Sequence, residues 1–326
     1  MTRHSRIAGI GAYRPRRSIA NSQIARHLGL TEDWIVKRSG IERRGYADPD
    51  ESLAMMASAA AVEALKQSDT APDQIGCVVV ATGTRLLQGP SLASQIAFTV
   101  GASNAAAFDI SAACAGFAHG IALASDMVKA GTANHILVIG AERLTDIVDK
   151  DDPSTAFLFA DGAGAAVISA SDKERIGPVA WGSDGSRSSA ISMTGCWDPA
   201  LQSDPSLPWP RLAMVGWKVY RWATTELASV ARQAIERAGM TVSDIDAFIP
   251  HQANRLITEE LVRQLQFRND TVIAHDIINT GNTSSASIPL ALDRLLTEGE
   301  LTSGMRALTI GFGSGLVYAG QVIEIP

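Results

Sequence analysis

Three short stretches carry the side chains best suited to covalent or hydrogen-bonding catalysis. They are DISAACAGFAHG (109–120) with Cys114, PHQAN (250–254) with His251, and NTGNTSSASIP (279–289) with Asn282. Cys114 falls where a strand-like run hands over to a helical pattern, so its sulfur should see the first-turn N–H groups of that helix. A helix N-terminus favours an anion and lowers a thiol pKa. The small residues on either side leave room for a substrate carbonyl. Most unpaired cysteines are simply small buried hydrophobes, and Cys77 in IGCVVVAT reads that way. Cys196, in TGCWDP, is a loop thiol with no evident partner. For Cys114 the arrival of a His and an Asn from elsewhere in the chain reverses the balance.

Of six histidines, His251 follows the apolar run DAFIP and precedes a helix opened by Asn254. His4 and His27 read as surface, His135 begins a strand, and His275 sits at a strand end beside Asp276. His119 is the rival base. Five residues along a helix from Cys114 place it well round the axis, so it ranks lower. Asn is routine in turns such as NTGNT, yet two asparagines around Gly281, ahead of a helix containing Pro289, are unusual.

A thiolate accepts an acyl group, and backbone N–H groups hold the oxyanion that forms. No acidic third member is needed here to orient the histidine, as it would be in a hydrolase triad. A neutral His and an Asn amide donating to one oxygen would instead stabilise an enolate. That fits carbon–carbon bond formation after decarboxylation of a malonyl thioester. The glycine-bearing runs GIGAYRP, DGAGAAV and GFGSGL do not complete a GxGxxG fingerprint in a strand–turn–helix setting, so they read as tight turns rather than a dinucleotide site. GFGSG follows the strand RALTI, points at the same centre, and offers its N–H groups to a developing oxyanion.

The elements that position these residues come as a repeat. AVEALKQSDTAPDQIGCVVVATGT (61–84) pairs with ARQAIERAGMTVSDIDAFIPHQAN (231–254), and AFDISAACAGF (107–117) with AHDIINTGNTSSASIP (274–289). NHILVIGAER (134–143) pairs with MRALTIGFGS (305–314), and more loosely DGAGAAVISAS (161–171) with SGLVYAGQVIEI (314–325). The first three pairs keep offsets of 167 to 171 residues and all four keep their order. Strands alternating with long helices imply right-handed crossovers and mostly parallel sheets. The expected architecture is α/β: two duplicated halves, residues 1–172 with the cysteine and 173–326 with the His and Asn, stacked as five αβαβα layers. Residues 173–215, rich in Ser, Gly, Pro and Trp, read as a linker and irregular excursion outside the repeat.

A chain of 326 residues has ample length for two such units. Its net charge of −6 argues against non-specific nucleic-acid binding. The three cysteines show neither CxxC nor metal-ligand spacing, which points to a reducing, cytoplasmic setting with no metal and no cofactor. No stretch approaches the roughly 18 apolar residues of a membrane span, and the apolar run near the N-terminus is too short for a signal peptide.

The residues DISAACAGF, PHQAN, NTGNTSSASIP and GFGSGLVYAG resemble β-ketoacyl-acyl carrier protein synthase III, of the thiolase fold superfamily, over nearly the whole chain. The resemblance implies that Cys114 takes an acyl group from acyl-CoA. His251 and Asn282 would then stabilise the enolate formed as malonyl-acyl carrier protein loses carbon dioxide. The oxyanion hole would use the amides of Cys114 and of the Phe312–Gly315 loop, Ser314 among them. Trp34 and Arg38 match positions that hold the CoA nucleotide end. Asn254 matches a position near the pantetheine arm, and Met214 and Gly216 border the same tunnel. Arg221, with Arg255 and Arg263 beside it, matches the face that receives the acidic carrier protein. The family's homodimer is implied as well. Three positions depart from the family pattern. Pro153 stands where an Arg often stacks on the CoA adenine, Arg255–Leu256 inverts a usual apolar–Arg order, and Gly89 replaces a larger residue that closes the acyl pocket. The last departure implies a primer longer than acetyl, unless Leu86, Leu87 or Gln88 fills the space. A priming or acyl-transferring role in a specialised polyketide-type pathway is the alternative. An inactive scaffold is disfavoured by the intact Cys, His and Asn.

Overall fold

The computed structural model describes residues 3–87, 89–196, 206 and 208–326. The chain first forms β1 (His4–Tyr13), β2 (Arg17–Ala20), α1 (Asn21–Leu28), α2 (Glu32–Ser39), β3 (Arg43–Tyr46), α3 (Leu53–Gln67) and β4 (Ile75–Ala81). Then come α4 (Leu92–Thr99), β5 (Ala106–Ile110), α5 (Gly116–Lys129), β6 (His135–Arg143), β7 (Asp161–Ser171) and β8 (Ala180–Ser183). Next are β9 (Ile191–Met193), β10 (Leu212–Met214), α6 (Gly216–Arg237), β11 (Ala247–Pro250), α7 (Arg255–Leu265) and β12 (Val272–Ile273). The chain closes with α8 (Ile277–Thr280), α9 (Ser287–Thr297), β13 (Arg306–Gly313) and β14 (Val317–Glu324).

Strand β4, IGCVVVA, is apolar at almost every position and buried along nearly its whole length. That is the signature of a parallel strand covered on both faces. It lies next to the edge of a sheet ordered β1-β7-β6-β4-β5, and the second sheet reads β8-β14-β13-β11-β12. Strand β4 runs parallel to β5 and β6, while β7 is antiparallel to β6 and β1. The second sheet repeats this pattern: β11 is parallel to β12 and β13, and β14 is antiparallel to β13 and β8. The duplication seen in the sequence is therefore a duplication of topology.

Three apolar cores separate the layers. Alanine-rich α3 and α4 cover the outer face of the first sheet, through Met56, Ala60, Ala64, Leu92 and Ile96. Helices α5 and α9 lie between the sheets, where Phe117, Ile121, Ile288 and Leu292 join one core with Val79, Val138, Ile249 and Ala307. Helices α6 and α7 cover the far face of the second sheet with Trp222, Leu227, Ile235 and Leu261. The order is the five-layered αβαβα stack of the thiolase-like fold.

The excursion 173–215 departs from expectation in two respects. Its strands β9 and β10 pair antiparallel as a small sheet of their own, and it contains β8, the outer strand of the second sheet, so that strand belongs to the repeat. Its sequence AWGS turns the large apolar Trp181 outward, 51% exposed at the sheet edge, so hydropathy does not follow the strand's inward–outward alternation. Most of WDPALQSDPSLPWP, and Gln88, lie outside the described residues. Among the described residues no helix is long and apolar enough to cross a membrane.

Small residues bring the two halves close enough to share polar groups. A Cβ on Gly140 in β6 would lie 2.3 Å from the Ser285 carbonyl oxygen of the other half. Gly140→Ala is therefore expected to cost about 1–3 kcal/mol through overpacking. The measurement is a urea-unfolding midpoint shift at constant slope, and an unchanged midpoint would contradict this close approach.

Candidate active site

Strand β5 ends at Ile110, and the chain turns through an elbow before α5. Ala113 adopts φ 45°, and Ser284 in the other half adopts φ 50°. The left-handed region costs a residue with a Cβ about 1–2 kcal/mol, so the surrounding packing must hold both elbows in place. Each residue opens a single 3₁₀ turn, Ala113–Ala115 and Ser284–Ala286, that runs directly into a helix of the central layer. Cys114 sits inside the first turn. Gly313, at the end of β13, is packed against it, and a Cβ there would lie 2.8 Å from the Cys114 nitrogen.

His251 follows β11 and extends its ladder, its N–H donating to the Ile310 carbonyl at 2.8 Å. The ring meets Phe312 edge-on at 5.1 Å between centroids. Ser287 Oγ accepts the Gln252 N–H at 3.2 Å and lies 2.7 Å from His251 Nδ1. With Nδ1 engaged by Ser287, Nε2 is the ring nitrogen left for a substrate in the cavity that His251 lines. Burial pushes the imidazole down to about 3, so it stays neutral in ordinary buffers.

Asn282 is held across the two halves. Its N–H donates to the Leu158 carbonyl at 2.9 Å, and its own carbonyl accepts from Ala160 N–H at 2.9 Å. The side-chain Oδ1 accepts the Ser284 N–H at 2.9 Å, which leaves Nδ2 as the open donor side. Nδ2 has only a long 3.5 Å contact to the Ala253 carbonyl. Gly281 makes the turn possible, with φ 75° and a would-be Cβ 2.8 Å from Arg44 Cβ. Buried Gln252 ties the histidine and asparagine segments together, donating to the Pro250 carbonyl at 2.8 Å and accepting Ile277 N–H at 3.1 Å.

Cys114, His251, Asn282 and Ser314 all line one cavity of about 1070 Å³, and so do Trp34, Arg38, Met214, Gly216 and Asn254. The Arg38 guanidinium lies 4.8 Å from the Trp34 ring centroid. Asn254 caps α7, accepting Leu256 N–H at 2.9 Å, and its Nδ2 donates to the Arg38 carbonyl at 2.8 Å. Pro153 and Leu256 border the same space. Four expected positions do not line it: Gly89, Arg221, Arg255 and Arg263. A Cβ on Gly89 would meet nothing within 4 Å in the protomer. Exposed Arg221 makes no ion pair among the described residues, whereas Arg255 pairs with Glu259 and Arg263 with Glu260. His119 is turned away, donating from Nδ1 to the Ala115 carbonyl and stacking on Trp181.

Several site residues were missed in the sequence. Ser284, Ser287, Gln252 and Glu142 hold or border the centre, and exposed Trp217 and Tyr220 flank the cavity. Glu142 had a readable signal: a carboxylate at the end of the apolar strand HILVIG, where an unpaired charge is costly. Among the described residues no group of three His, Cys, Asp or Glu side chains gathers as a metal set.

Solved structures share the whole architecture. The chain superposes with a TM-score of 0.97 and 46% identity on the priming β-ketosynthase from the R1128 polyketide biosynthetic pathway, covering 100% of this chain and 97% of that one. Against 3-oxoacyl-(acyl-carrier-protein) synthase III from Aquifex aeolicus the TM-score is 0.91 at 32% identity, with 99% and 100% covered. Fold and cysteine-centred cavity thus define a ketosynthase of the acyltransferase class. Family models for 3-oxoacyl-(acyl-carrier-protein) synthase III match residues 108–185 and, for its C-terminal part, 235–325. β-Ketoacyl-(acyl-carrier-protein) synthase III of Streptomyces lividans is 47% identical over 324 residues, covering 99% of this chain and 95% of the relative. The chain belongs to the β-ketoacyl-acyl carrier protein synthase III family.

One expectation is reversed. Burial pushes the Cys114 thiol up to about 12, against the lowering effects of a Ser284 hydrogen bond and of the residue's own N–H. Desolvation thus opposes the helix N-terminus at this sulfur. Alkylation of Cys114 by iodoacetamide is expected to climb about tenfold per unit between about pH 7 and 10. A plateau beginning below about pH 8 would mean that the helix terminus prevails.

Proposed function

We propose that the enzyme condenses an acyl-CoA primer with malonyl-acyl carrier protein, giving 3-oxoacyl-acyl carrier protein, CoA and carbon dioxide for fatty acid biosynthesis. The primer's acyl group is carried on Cys114. His251 Nε2–H and Asn282 Nδ2–H donate to the malonyl thioester oxygen as carbon dioxide leaves, and the resulting enolate carbon attacks the acyl-cysteine. The N–H groups of Cys114 and Ser314 receive the oxyanion. The two halves divide the work: residues 1–172 bring the nucleophile and 173–326 the two donors. One observation carries the reading. Internal partners occupy His251 Nδ1 and Asn282 Oδ1, which leaves His251 Nε2 and Asn282 Nδ2 for the thioester oxygen, and with Ser287 donating to Nδ1 both are donors.

Trp34 and Arg38 would receive the nucleotide end of CoA, and Met214, Gly216 and Asn254 its pantetheine arm. The acidic carrier protein would dock beside α6 and α7, with Arg221 as its principal cation, because Glu259 and Glu260 already engage Arg255 and Arg263. Gly89 would act from a second copy in a homodimer, widening the acyl pocket for primers such as butyryl or isobutyryl. A second reading, priming of a specialised polyketide-type pathway by the same chemistry, is favoured by the likeness to the R1128 priming ketosynthase. A panel of acetyl-, butyryl- and isobutyryl-CoA, assayed with malonyl groups on fatty-acid and polyketide carrier proteins, separates the two. Strict acetyl preference with the fatty-acid carrier would exclude the second reading.

Cys114→Ala is expected to abolish acylation and condensation while retaining malonyl decarboxylation. His251→Ala or Asn282→Ala should keep Cys114 acylation and lose about 10²–10³ in condensation rate. Because burial holds His251 neutral above about 3, decarboxylation by Cys114→Ala should be flat from about pH 5 to 8, with no imidazole step near 6.5. Activity falling as that step is protonated would contradict the neutral-donor role, and condensation by Cys114→Ala would contradict the whole scheme.

A further inference from the structure

We propose that Glu142 is a positioning residue for Asn282: its carboxylate clamps the Ser284 hydroxyl and thereby holds the Ser284 N–H on Asn282 Oδ1. The inference rests on the reading in which Asn282 Nδ2 donates to the malonyl thioester oxygen. Two bonds carry it. Glu142 Oε1 accepts the Ser284 hydroxyl at 3.0 Å, and the Ser284 N–H donates to Asn282 Oδ1 at 2.9 Å. Carboxylate, elbow residue and amide thus form one chain from β6 of the first half to the turn after α8 of the second.

Each link has a definite task. An Asn side chain has an acceptor end and a donor end. Leu158 and Ala160 pin the backbone of Asn282, but those bonds do not choose which end of its amide meets the cavity. The Ser284 N–H makes that choice, because it can face only Oδ1. Turned over, the amide would set Nδ2 against another donor and present an acceptor to the substrate. Ser284 itself needs holding, since it bears a Cβ and adopts φ 50°. Its backbone conformation aims its N–H, and its hydroxyl is the side-chain atom through which that conformation is tied down.

Glu142 spans the two halves. It is fully buried, and no cation pairs with it among the described residues; neighbouring Arg143 reaches Asp146 instead. Oε2 accepts from the Thr84 hydroxyl at 2.8 Å and from Gly83 N–H at 3.0 Å, both in its own half. Oε1 lies 3.0 Å from Ser284 Oγ and 2.9 Å from Ser285 Oγ, both in the other half. One oxygen anchors the carboxylate and the other reaches across. With both engaged by the protein, Glu142 acts on the substrate through Asn282 rather than by contact. A neutral amide has one acceptor and cannot meet donors on both sides.

The test compares carbon dioxide release from malonyl-acyl carrier protein with single-turnover acylation of Cys114 by butyryl-CoA, both in the full-length protein. Glu142→Gln should slow carbon dioxide release about 10- to 10²-fold while acylation changes little. Ser284→Ala should show the same split. Ser284→Gly should recover most of the loss, because glycine adopts a positive φ without a clamp. If Glu142→Gln does not fold, the two Ser284 variants carry the comparison. Unchanged carbon dioxide release, equal loss in both half-reactions, or Ser284→Gly no faster than Ser284→Ala would overturn the clamp. Asn282→Ala separates the two levels of the argument. If it slows carbon dioxide release and the other variants do not, the clamp alone fails. If it releases carbon dioxide at the unmodified rate, the reading of Asn282 as a donor fails, and the clamp with it.

Discussion

Water is largely excluded from the junction of the two halves, and the organisation of the site follows from that exclusion. A buried polar group without a partner costs about 1–3 kcal/mol. His251, Gln252, Asn282, Ser284, Ser285, Ser287 and Glu142 are all nearly inaccessible. Each must find its hydrogen bonds inside the protein, and the bonds it finds decide which of its atoms remains available. Ser287 takes His251 Nδ1 and the Ser284 amide takes Asn282 Oδ1. The same exclusion pushes the imidazole pKa down and the thiol pKa up. Which donors and acceptors stay open is a consequence of burial.

The repeated topology supplies the geometry that makes this burial possible. In each of two identically ordered sheets the chain leaves an edge strand, β5 or β12, and passes through an elbow and a 3₁₀ turn into an inner helix. In one half the turn presents a sulfur, and in the other a hydroxyl and an amide. Ser284 stands at the positive-φ residue of its elbow, as Ala113 does in the other half, and it lines the cavity with the cysteine brought by the first. Close approach depends on small residues at the contacts: Gly140 against Ser285, Gly313 against Cys114, and Gly116, whose Cβ would lie 2.7 Å from that of Ala81.

Much of this was legible in the sequence because periodicity and repetition are local signals. The apolar run of β4, the helical pattern after Cys114 and the matched offsets lead to the five-layered stack, and Cys114, His251 and Asn282 stand out at strand ends. What could not be read depends on contacts between distant segments. Ser287 looks like one of several small residues in NTSSASIP, and only the fold brings it to His251. The balance between helix terminus and desolvation at Cys114 is a matter of cavity depth. β8 escaped because, in an edge strand of four residues with Trp181 facing outward, hydropathy does not track the alternation of burial. Gly89 and the arginines of α6 and α7 rest on resemblance alone, and the protomer does not bring them to the cavity.

The central claim is that an acyl group resides on Cys114 and leaves it by carbon–carbon bond formation. Intact-mass and peptide mass spectrometry, after mixing with butyryl-CoA and then with malonyl-acyl carrier protein, addresses it directly. The account predicts a butyryl adduct on the peptide containing Cys114 that disappears on the second addition. One carbon dioxide and one 3-oxohexanoyl-carrier protein should be released for each adduct lost. An adduct on another residue, an adduct that persists, or product formed without one would contradict it.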